Sequence, residues 1–226
     1  MMHKPYVTLN SLCMVLTLGL APMAASAEQA EQDHQQHQAA AGEADPHAHH
    51  RAMMKKPAEP AKSADVDLLD LTLVDQEGRE VRFVSDVIGD NIVVMDFVYT
   101  TCTTICPVLS ALFTQVQTKL GDDVGGEIRL VSMSVDPIRD TPQRLKAYSA
   151  KHRAGEGWLW LTGAKPSVDD VLTGLGAYTS NFEDHPSMVL IGDGRTGEWK
   201  RLFGFPNPDR IVQIVNDLRE KRQAGG

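Results

Sequence analysis

The sequence is poor in cysteine and aromatic residues and has no excess of positive charge. Three cysteines in 226 residues are too few for the disulfide framework of a small secreted scaffold. Lysine and arginine together number 22 against 30 aspartates and glutamates, and the resulting net charge of −8 argues against nucleic acid as a partner. The hydrophobic fraction of 42 % is ordinary for a soluble globular domain, so the chain can bury a core despite having only 6 % aromatic residues.

The apolar run near the N-terminus is shorter than a bilayer-spanning helix requires. Residues 12–20 form this stretch after a weakly positive start, and residues 25–27 (Ala-Ser-Ala) supply the small side chains of a cleavage site. This layout predicts a secretory signal peptide over residues 1–27, whose removal also removes Cys13. The alternative is an uncleaved membrane anchor. In both cases the protein is exported, and we expect it in the periplasm, either free or tethered to the inner membrane.

Residues 28–65 consist mainly of Ala, Gln, Glu, Pro and His and show no hydrophobic periodicity. A segment of this composition cannot bury a core, so we expect a disordered tether. Its metal-binding side chains are His34, His37, His47, His49, His50, Met53 and Met54. The tether is either a polar linker that happens to be rich in histidine or a weak collecting site for copper, since imidazole and thioether both suit that metal.

The pattern of residues 66–222 predicts one α/β domain, followed by a flexible tail at residues 223–226. Apolar alternation and turn residues predict an N-terminal β-hairpin, a buried central strand and shorter strands separated by helices. The predicted strands are residues 68–73, 81–84, 91–99, 128–135, 158–161, 188–191 and 199–203. The predicted helices are residues 107–120, residues 140–152, one that follows a capping box at Ser167-Val168-Asp169-Asp170 and one that starts near Pro208. Alternating strands and helices favour a central mixed sheet flanked by helices.

Cys102 and Cys106 are the only cysteines outside the predicted signal peptide. They lie between the buried strand and the helix that follows it, and the loop they would close is too short to stabilise a domain much. We therefore interpret the pair as chemical, because backbone N–H groups at a helix start favour the thiolate, which is both a nucleophile and a metal ligand. A reactive cysteine pair at this junction favours a thioredoxin-like fold.

His185 is the best candidate for a third ligand, because two thiolates alone make an incomplete metal site. In a thioredoxin-like topology, the loop before the strand at residues 188–191 faces the cysteine loop. His152, the other histidine beyond the tether, falls at the C-terminal end of a predicted helix and is interpreted as structural. Two sulfurs and an imidazole suit Cu(I), whereas structural zinc would require a fourth protein ligand.

Four segments, taken together, carry a family resemblance. They are Cys102-Thr-Thr-Ile-Cys106-Pro107, then Ser134-Val135-Asp136-Pro137 with Asp140-Thr141-Pro142, then residues 158–163, and finally Asp184-His185. In order and spacing the chain resembles the Sco/SenC family of copper chaperones and assembly factors for cytochrome c oxidase, over roughly residues 68–218. The resemblance implies a thioredoxin-like fold and a copper site formed by Cys102, Cys106 and His185, which holds Cu(I) or Cu(II).

The resemblance also implies a function, which is delivery of copper to the binuclear copper centre of cytochrome c oxidase during its assembly. The expected partner is the copper-centre subunit of that oxidase, with other periplasmic copper chaperones or thiol reductases as further partners. We expect the chain to act as a monomer. Asp136 is carried over either as an outer-shell residue of the copper site or as the cap of the turn before Pro137.

Two other functions would use the same cysteines. An exported thiol–disulfide reductase would keep the cysteines of copper proteins reduced through the redox-active pair Cys102 and Cys106, without requiring His185. A thiol peroxidase would use the Thr-x-x-Cys element at residues 103–106, but Tyr99 stands where those enzymes carry proline. We therefore expect a copper-binding chaperone rather than a classical enzyme, with the reductase as the alternative.

Overall fold

The structure is a computed structural model, and it describes residues 60–225. The predicted signal peptide and Cys13 lie outside the described residues, as does the predicted tether as far as residue 59, with all of its histidines and its two methionines. Between residues 60 and 225, no helix has both the length and the apolar character needed to cross a bilayer.

Eight strands and four α-helices make up the described domain. The strands are Lys62–Ser63 (β1), Thr72–Asp75 (β2), Glu80–Arg82 (β3), Ile92–Val98 (β4), Ile128–Ser134 (β5), Trp158–Thr162 (β6), Met188–Asp193 (β7) and Trp199–Phe203 (β8). The helices are Cys106–Leu120 (α1), Pro142–Lys151 (α2), Lys165–Gly174 (α3) and Pro208–Ala224 (α4). Short helical turns span Phe83–Ile88, Gly121–Asp123 and Phe182–Asp184.

The strands form a single mixed sheet in the order β1-β8-β7-β4-β5-β6-β2-β3. Strands β4, β5 and β6 are parallel neighbours, whereas the remaining pairs are antiparallel. All seven residues of β4 are buried, as expected of a strand covered on both faces. The predicted mixed sheet with flanking helices and an N-terminal hairpin is confirmed.

Two apolar clusters fill the space on either side of the sheet. Because successive side chains of a strand point to opposite faces, Val94 and Val98 of β4 join the cluster beneath α1, α2 and α4, and this cluster also contains Cys106. Val93 and Phe97 join the other cluster, beneath α3 and the turn at Phe83–Ile88. The N-terminus of α1 therefore meets the sheet at the end of β4, where the cysteine loop begins.

The hairpin departs from the prediction in both strands. The first spans Thr72–Asp75 rather than residues 68–73, and the second ends at Arg82 rather than at residue 84. The chain continues into the π-helical turn Phe83–Ile88 because Asp70 accepts hydrogen bonds from the backbone N–H groups of Val84 and Ser85, at 2.8 and 3.0 Å. The Ser85 hydroxyl also donates a hydrogen bond to the Asp70 carboxylate at 2.7 Å. A side chain distant in sequence thus takes these backbone donors away from the strand ladder.

The capping box predicted at Ser167 is wrong. Helix α3 begins two residues earlier, at Lys165, with Ala164 in the N-cap position and Pro166 in the first turn. Proline is well suited to the first turn of a helix, because its fixed φ matches the helix and its missing N–H would have no partner there. The proline therefore sets the start of this helix, and Ser167 lies within it.

The first strand, β1, was missed because it has no apolar pattern. Lys62 and Ser63 fall within the predicted tether, yet they pair antiparallel with Arg201 and Lys200 of β8. Pairing at a sheet edge uses backbone groups, so it does not require hydrophobic side chains. The ordered chain therefore begins before residue 66.

Arg222 fixes the end of α4 to the sheet. It donates two hydrogen bonds to Asp193, both 2.7 Å long, and its side chain is only 5 % exposed while that of Asp193 is fully buried. Burial raises the pKa of Asp193, but the hydrogen bonds from Arg222 and from the backbone of Arg195 and Thr196 outweigh it, so the pKa lies below its usual range. The buried carboxylate is charged and depends on this arginine.

The variant Arg222→Met should lower the free energy of unfolding by about 3 kcal/mol at pH 7, because Asp193 is left as an uncompensated buried charge. Urea denaturation measures the change. The contribution is complete above the unfolded-state pKa of aspartate, about 4, and is lost as the pH falls through the lowered folded-state pKa.

Lys221→Met is the matched control for this experiment. Lys221 is a neighbouring cation on the same helix, and it pairs with Glu198 at 2.7 Å where both side chains reach solvent. Removing it should cost less than about 1 kcal/mol. Equal losses in the two variants would contradict the assignment of Asp193 as a buried charge that depends on Arg222.

Candidate metal and redox site

The cysteine loop joins β4 to α1 and brings the two cysteines together. The backbone N–H of Cys102 donates to the carbonyl of Tyr99 at 3.1 Å, which closes a tight turn after the strand. The backbone N–H of Cys106, the first residue of α1, donates to the sulfur of Cys102 at 3.4 Å. Ile105, in the N-cap position, offers no side-chain acceptor, and the Cys102 sulfur instead accepts one of the helix N–H groups that have no partner within the helix.

The two sulfurs have different acidities. Burial tends to raise the pKa of Cys102, but hydrogen bonds from the Cys106 thiol and from the backbone N–H groups of Cys106 and Thr104 outweigh it and lower the pKa to about 7. Burial and the hydrogen bond to Cys102 raise the pKa of Cys106 well above its usual range. Both are free thiols in the described part of the chain. Near neutral pH, Cys102 is therefore the thiolate and Cys106 the proton donor.

His185 lies on the loop before β7 and is only 4 % exposed. Its Nδ1 lies 2.8 Å from the carbonyl oxygen of Phe182, and its Nε2 lies 3.2 Å from the carbonyl oxygen of Phe97 in β4. A neutral imidazole carries one N–H and can donate to only one of these carbonyls, whereas a protonated ring can donate to both. A metal bond through Nε2 requires the ring to give up the Phe97 contact.

The structure therefore brings together two of the three predicted ligands and leaves the third on the adjacent loop. Within residues 60–225, no three His, Cys, Asp or Glu side chains are arranged so that they could hold a metal ion. Tyr99 connects the two parts, because its carbonyl accepts the Cys102 N–H and its ring packs edge-on against His185 with centroids 5.7 Å apart. The donor types, two sulfurs and one imidazole, fit a soft ion such as Cu(I) once the imidazole turns.

Asp140 and Asp136 lie on the loop between β5 and α2, next to the cysteine loop. Asp140 is 1 % exposed and accepts hydrogen bonds from the Thr100 hydroxyl at 2.6 Å and the Ser134 hydroxyl at 2.7 Å. Burial raises its pKa, and these hydrogen bonds partly oppose the rise. Asp136 instead pairs with Arg139 at 2.9 Å, and its carbonyl accepts from the backbone of the same turn. The structure thus supports the turn-capping interpretation of Asp136.

Asp96 is a buried carboxyl on the same side of the sheet as Cys106. Burial raises its pKa to about 7, although a hydrogen bond from the Ser132 hydroxyl, 2.6 Å away, works in the opposite direction. Its second carboxyl oxygen has no hydrogen-bond partner among the described residues. The charge of Asp96 further raises the pKa of Cys106. Sequence reasoning missed this residue, although a single acidic residue inside an otherwise apolar strand was a visible signal.

His152 is structural, as predicted, and forms the C-cap of α2. Its ring packs against Tyr148 and Trp160 with centroids 5.0 and 6.4 Å apart. Burial and the charge of Lys151 lower its pKa, which favours a neutral ring over the imidazolium expected at a helix end.

Residues 59–216 match the model of the SCO1/SenC family, which is about seven-tenths of the chain. The SCO1 protein homolog of Bacillus subtilis is 35 % identical over 97 residues, a match that covers 42 % of this chain and 49 % of that protein. The chain spans about half the length of the first curated relatives it matches.

Solved structures share the fold. Copper-bound ScoI of Arabidopsis thaliana superposes with a TM-score of 0.57 at 20 % identity, covering 70 % of this chain and 99 % of that one. BsSco, described as a member of the Sco family of cytochrome c oxidase assembly proteins with a disulfide switch, gives a TM-score of 0.59 at 25 % identity, covering 70 % and 96 %. The chain therefore has the thioredoxin-like fold of Sco proteins, as predicted.

In the reduced protein, iodoacetamide should alkylate Cys102 with a pH midpoint near 7, while Cys106 stays almost unmodified up to pH 9. The thiolate is the reactive form, and its fraction rises with pH through a pKa of about 7 at Cys102. Rates are measured by peptide mass spectrometry. Thr104→Val, which removes a hydroxyl 3.8 Å from the Cys102 sulfur, should shift the midpoint upward slightly. Equal rates at the two cysteines would contradict the assigned acidities.

Proposed function

The chain belongs to the SCO1/SenC family, and on this basis we propose that it binds copper through Cys102, Cys106 and His185 and delivers it to the binuclear copper centre of cytochrome c oxidase. The observation that carries the proposal is a pair of sulfurs at a helix N-terminus, one of which accepts the N–H of Cys106, with a buried imidazole on the loop before β7. Copper is the cargo, and the copper-centre subunit of the oxidase is the proposed recipient.

The proposed chemistry assigns each ligand a part. Cys102 offers a thiolate near neutral pH, and Cu(I) has to displace the thiol proton of Cys106 before both sulfurs bind. His185 completes the set by exchanging its Phe97 carbonyl contact for the metal. Soft thiolates favour Cu(I) over harder divalent ions, and a site with three protein ligands leaves room for a recipient ligand to approach.

His185→Ala should weaken Cu(I) binding at least about tenfold, the factor typical of losing one metal ligand or its support. Competition with a Cu(I)-specific chelator on the reduced protein measures the affinity. His152→Ala is the matched control, because His152 packs on an aromatic cluster at the end of α2 and should leave the affinity unchanged. An unchanged Cu(I) affinity in His185→Ala would contradict the assignment of His185 as the third ligand.

A second candidate, a thiol–disulfide reductase for copper-protein cysteines, is favoured by the different acidities of the two sulfurs. The Cys102 thiolate would attack a disulfide in the target, forming a mixed disulfide and releasing one target thiolate. That thiolate can take the Cys106 proton, after which the Cys106 sulfur attacks Cys102, closes the Cys102–Cys106 disulfide and releases the second target sulfur as a thiolate. Two electrons pass to the target, and an external dithiol must then reduce the pair again.

For the reductase, Cys106→Ser should trap a covalent adduct with an oxidised copper-centre subunit, because the resolving sulfur is gone. Cys102→Ser should trap none, since Cys106 is buried and protonated. Non-reducing electrophoresis followed by mass spectrometry detects the adduct. Absence of an adduct with Cys106→Ser would count against the reductase and leave the copper proposal intact.

A further inference from the structure

We propose that the β5–α2 loop, Asp136–Asp140, is a positioning element that holds the cysteine loop and the histidine loop in place relative to each other. Asp140 binds the cysteine loop, and Arg139 contacts the loop that carries His185. This inference rests on the proposed function, because it concerns how the same three ligands are held.

Asp140 anchors Thr100, which lies within the turn that follows β4. Its carboxylate accepts the Thr100 backbone N–H at 3.1 Å and the Thr100 hydroxyl at 2.6 Å. Its second oxygen accepts the Ser134 hydroxyl at 2.7 Å, at the end of β5. Because Thr100 lies two residues before Cys102, these bonds fix the position of the backbone that leads to the Cys102 sulfur.

Arg139 makes the contact to the other half of the site. Its guanidinium carbon lies 5.2 Å from the ring centroid of Phe182. The carbonyl of Phe182 faces Nδ1 of His185 at 2.8 Å, and its ring packs edge-on against Tyr99 with centroids 5.0 Å apart. The Arg139 guanidinium therefore lies against Phe182, whose carbonyl is one of the two groups that contact the imidazole of His185.

The β5–α2 loop is itself internally braced. The carbonyl of Asp136 accepts the backbone N–H groups of Arg139 at 3.1 Å and Asp140 at 2.9 Å. The Asp136 carboxylate holds the Arg139 guanidinium at 2.9 Å, and its backbone N–H donates to the Ser134 hydroxyl at 3.1 Å. The same hydroxyl binds Asp140. The contact of Asp140 with the cysteine loop (the cysteine arm) and the contact of Arg139 with Phe182 (the histidine arm) therefore depend on one rigid turn.

The first test concerns the cysteine arm and needs no copper. Disulfide formation depends on the effective concentration of one sulfur at the other, which falls when the connecting loop gains freedom. Asp140→Asn and Thr100→Val should each lower the equilibrium constant for forming the Cys102–Cys106 disulfide against glutathione by about fivefold, the scale of the net contribution of one hydrogen bond. Thr100→Ser keeps the hydroxyl and should restore the parent value.

The Thr100 pair keeps this test informative even if Asp140→Asn folds poorly, since Thr100 is only partly buried. If Thr100 were important only for stability, Thr100→Val would have a lower melting temperature, but Thr100→Val and Thr100→Ser would have the same disulfide equilibrium constant. An equilibrium constant that is unchanged or higher in Thr100→Val would overturn the cysteine arm.

The second test concerns the histidine arm and uses Cu(I) itself as the probe. His185 should increase the Cu(I) affinity by a certain factor, and Arg139→Met should reduce that factor about threefold. A reduction of this size is expected from the loss of one cation–π contact. The factor is obtained by comparing each protein with its His185→Ala counterpart. The dithiol–disulfide equilibrium should stay at the parent value, because Thr100 and Asp140 are untouched.

Lys165→Met is the matched control for Arg139→Met. Lys165 lines the same surface cleft as Phe182 but pairs with Asp169 on its own helix. It should leave the His185 factor unchanged, whereas an unchanged or larger factor in Arg139→Met would overturn the histidine arm. If His185→Ala alone does not weaken Cu(I) binding, the proposed function fails, and the copper-free test still decides the cysteine arm.

Discussion

The start of helix α1 is the constraint on which the site depends. A helix leaves its first backbone N–H groups without partners, and the residue before this helix, Ile105, has no side chain that could accept one. The Cys102 sulfur takes that place, 3.4 Å from the N–H of Cys106. The start of α1 therefore gains an acceptor for one of its N–H groups, and the same contact stabilises the Cys102 sulfur as an anion.

This arrangement explains why two cysteines four positions apart behave so differently. Cys102 receives hydrogen bonds and its pKa is lowered, whereas Cys106 lies within the apolar cluster under α1 and gives its hydrogen to Cys102, so its pKa is raised. The nearby buried carboxyl of Asp96 adds a further cost to a second negative charge. The pair therefore favours a state with one proton, which is held by Cys106. A cation that binds both sulfurs has to displace that proton, and in the proposed reductase the released target thiolate takes it.

Much of this could be predicted from the sequence because the signals were local. The apolar strand 91–99, the cysteine pair and Pro107 at a helix start all follow from short-range patterns, and the observed ends of this strand and this helix differ from the predicted ones by at most one residue. The orientation of His185 could not be predicted, because one of its two ring contacts is with the carbonyl of Phe97, which is distant in sequence. The contact of the Asp140 carboxylate with Thr100 could not be predicted either, because the two residues are 40 positions apart and no local pattern links them.

The resting position of His185 bears on the proposed transfer of copper. A metal bond to Nε2 has to compensate for the lost contact with the Phe97 carbonyl, so that contact lowers the net affinity of the third ligand. The same contact is regained when the metal leaves, and the imidazole returns to a site already shaped by Phe182 and Tyr99. A chaperone must bind its cargo tightly enough to carry it and release it to a recipient. A histidine ligand that can also bind the Phe97 carbonyl meets both requirements better than a histidine that always faces the two sulfurs.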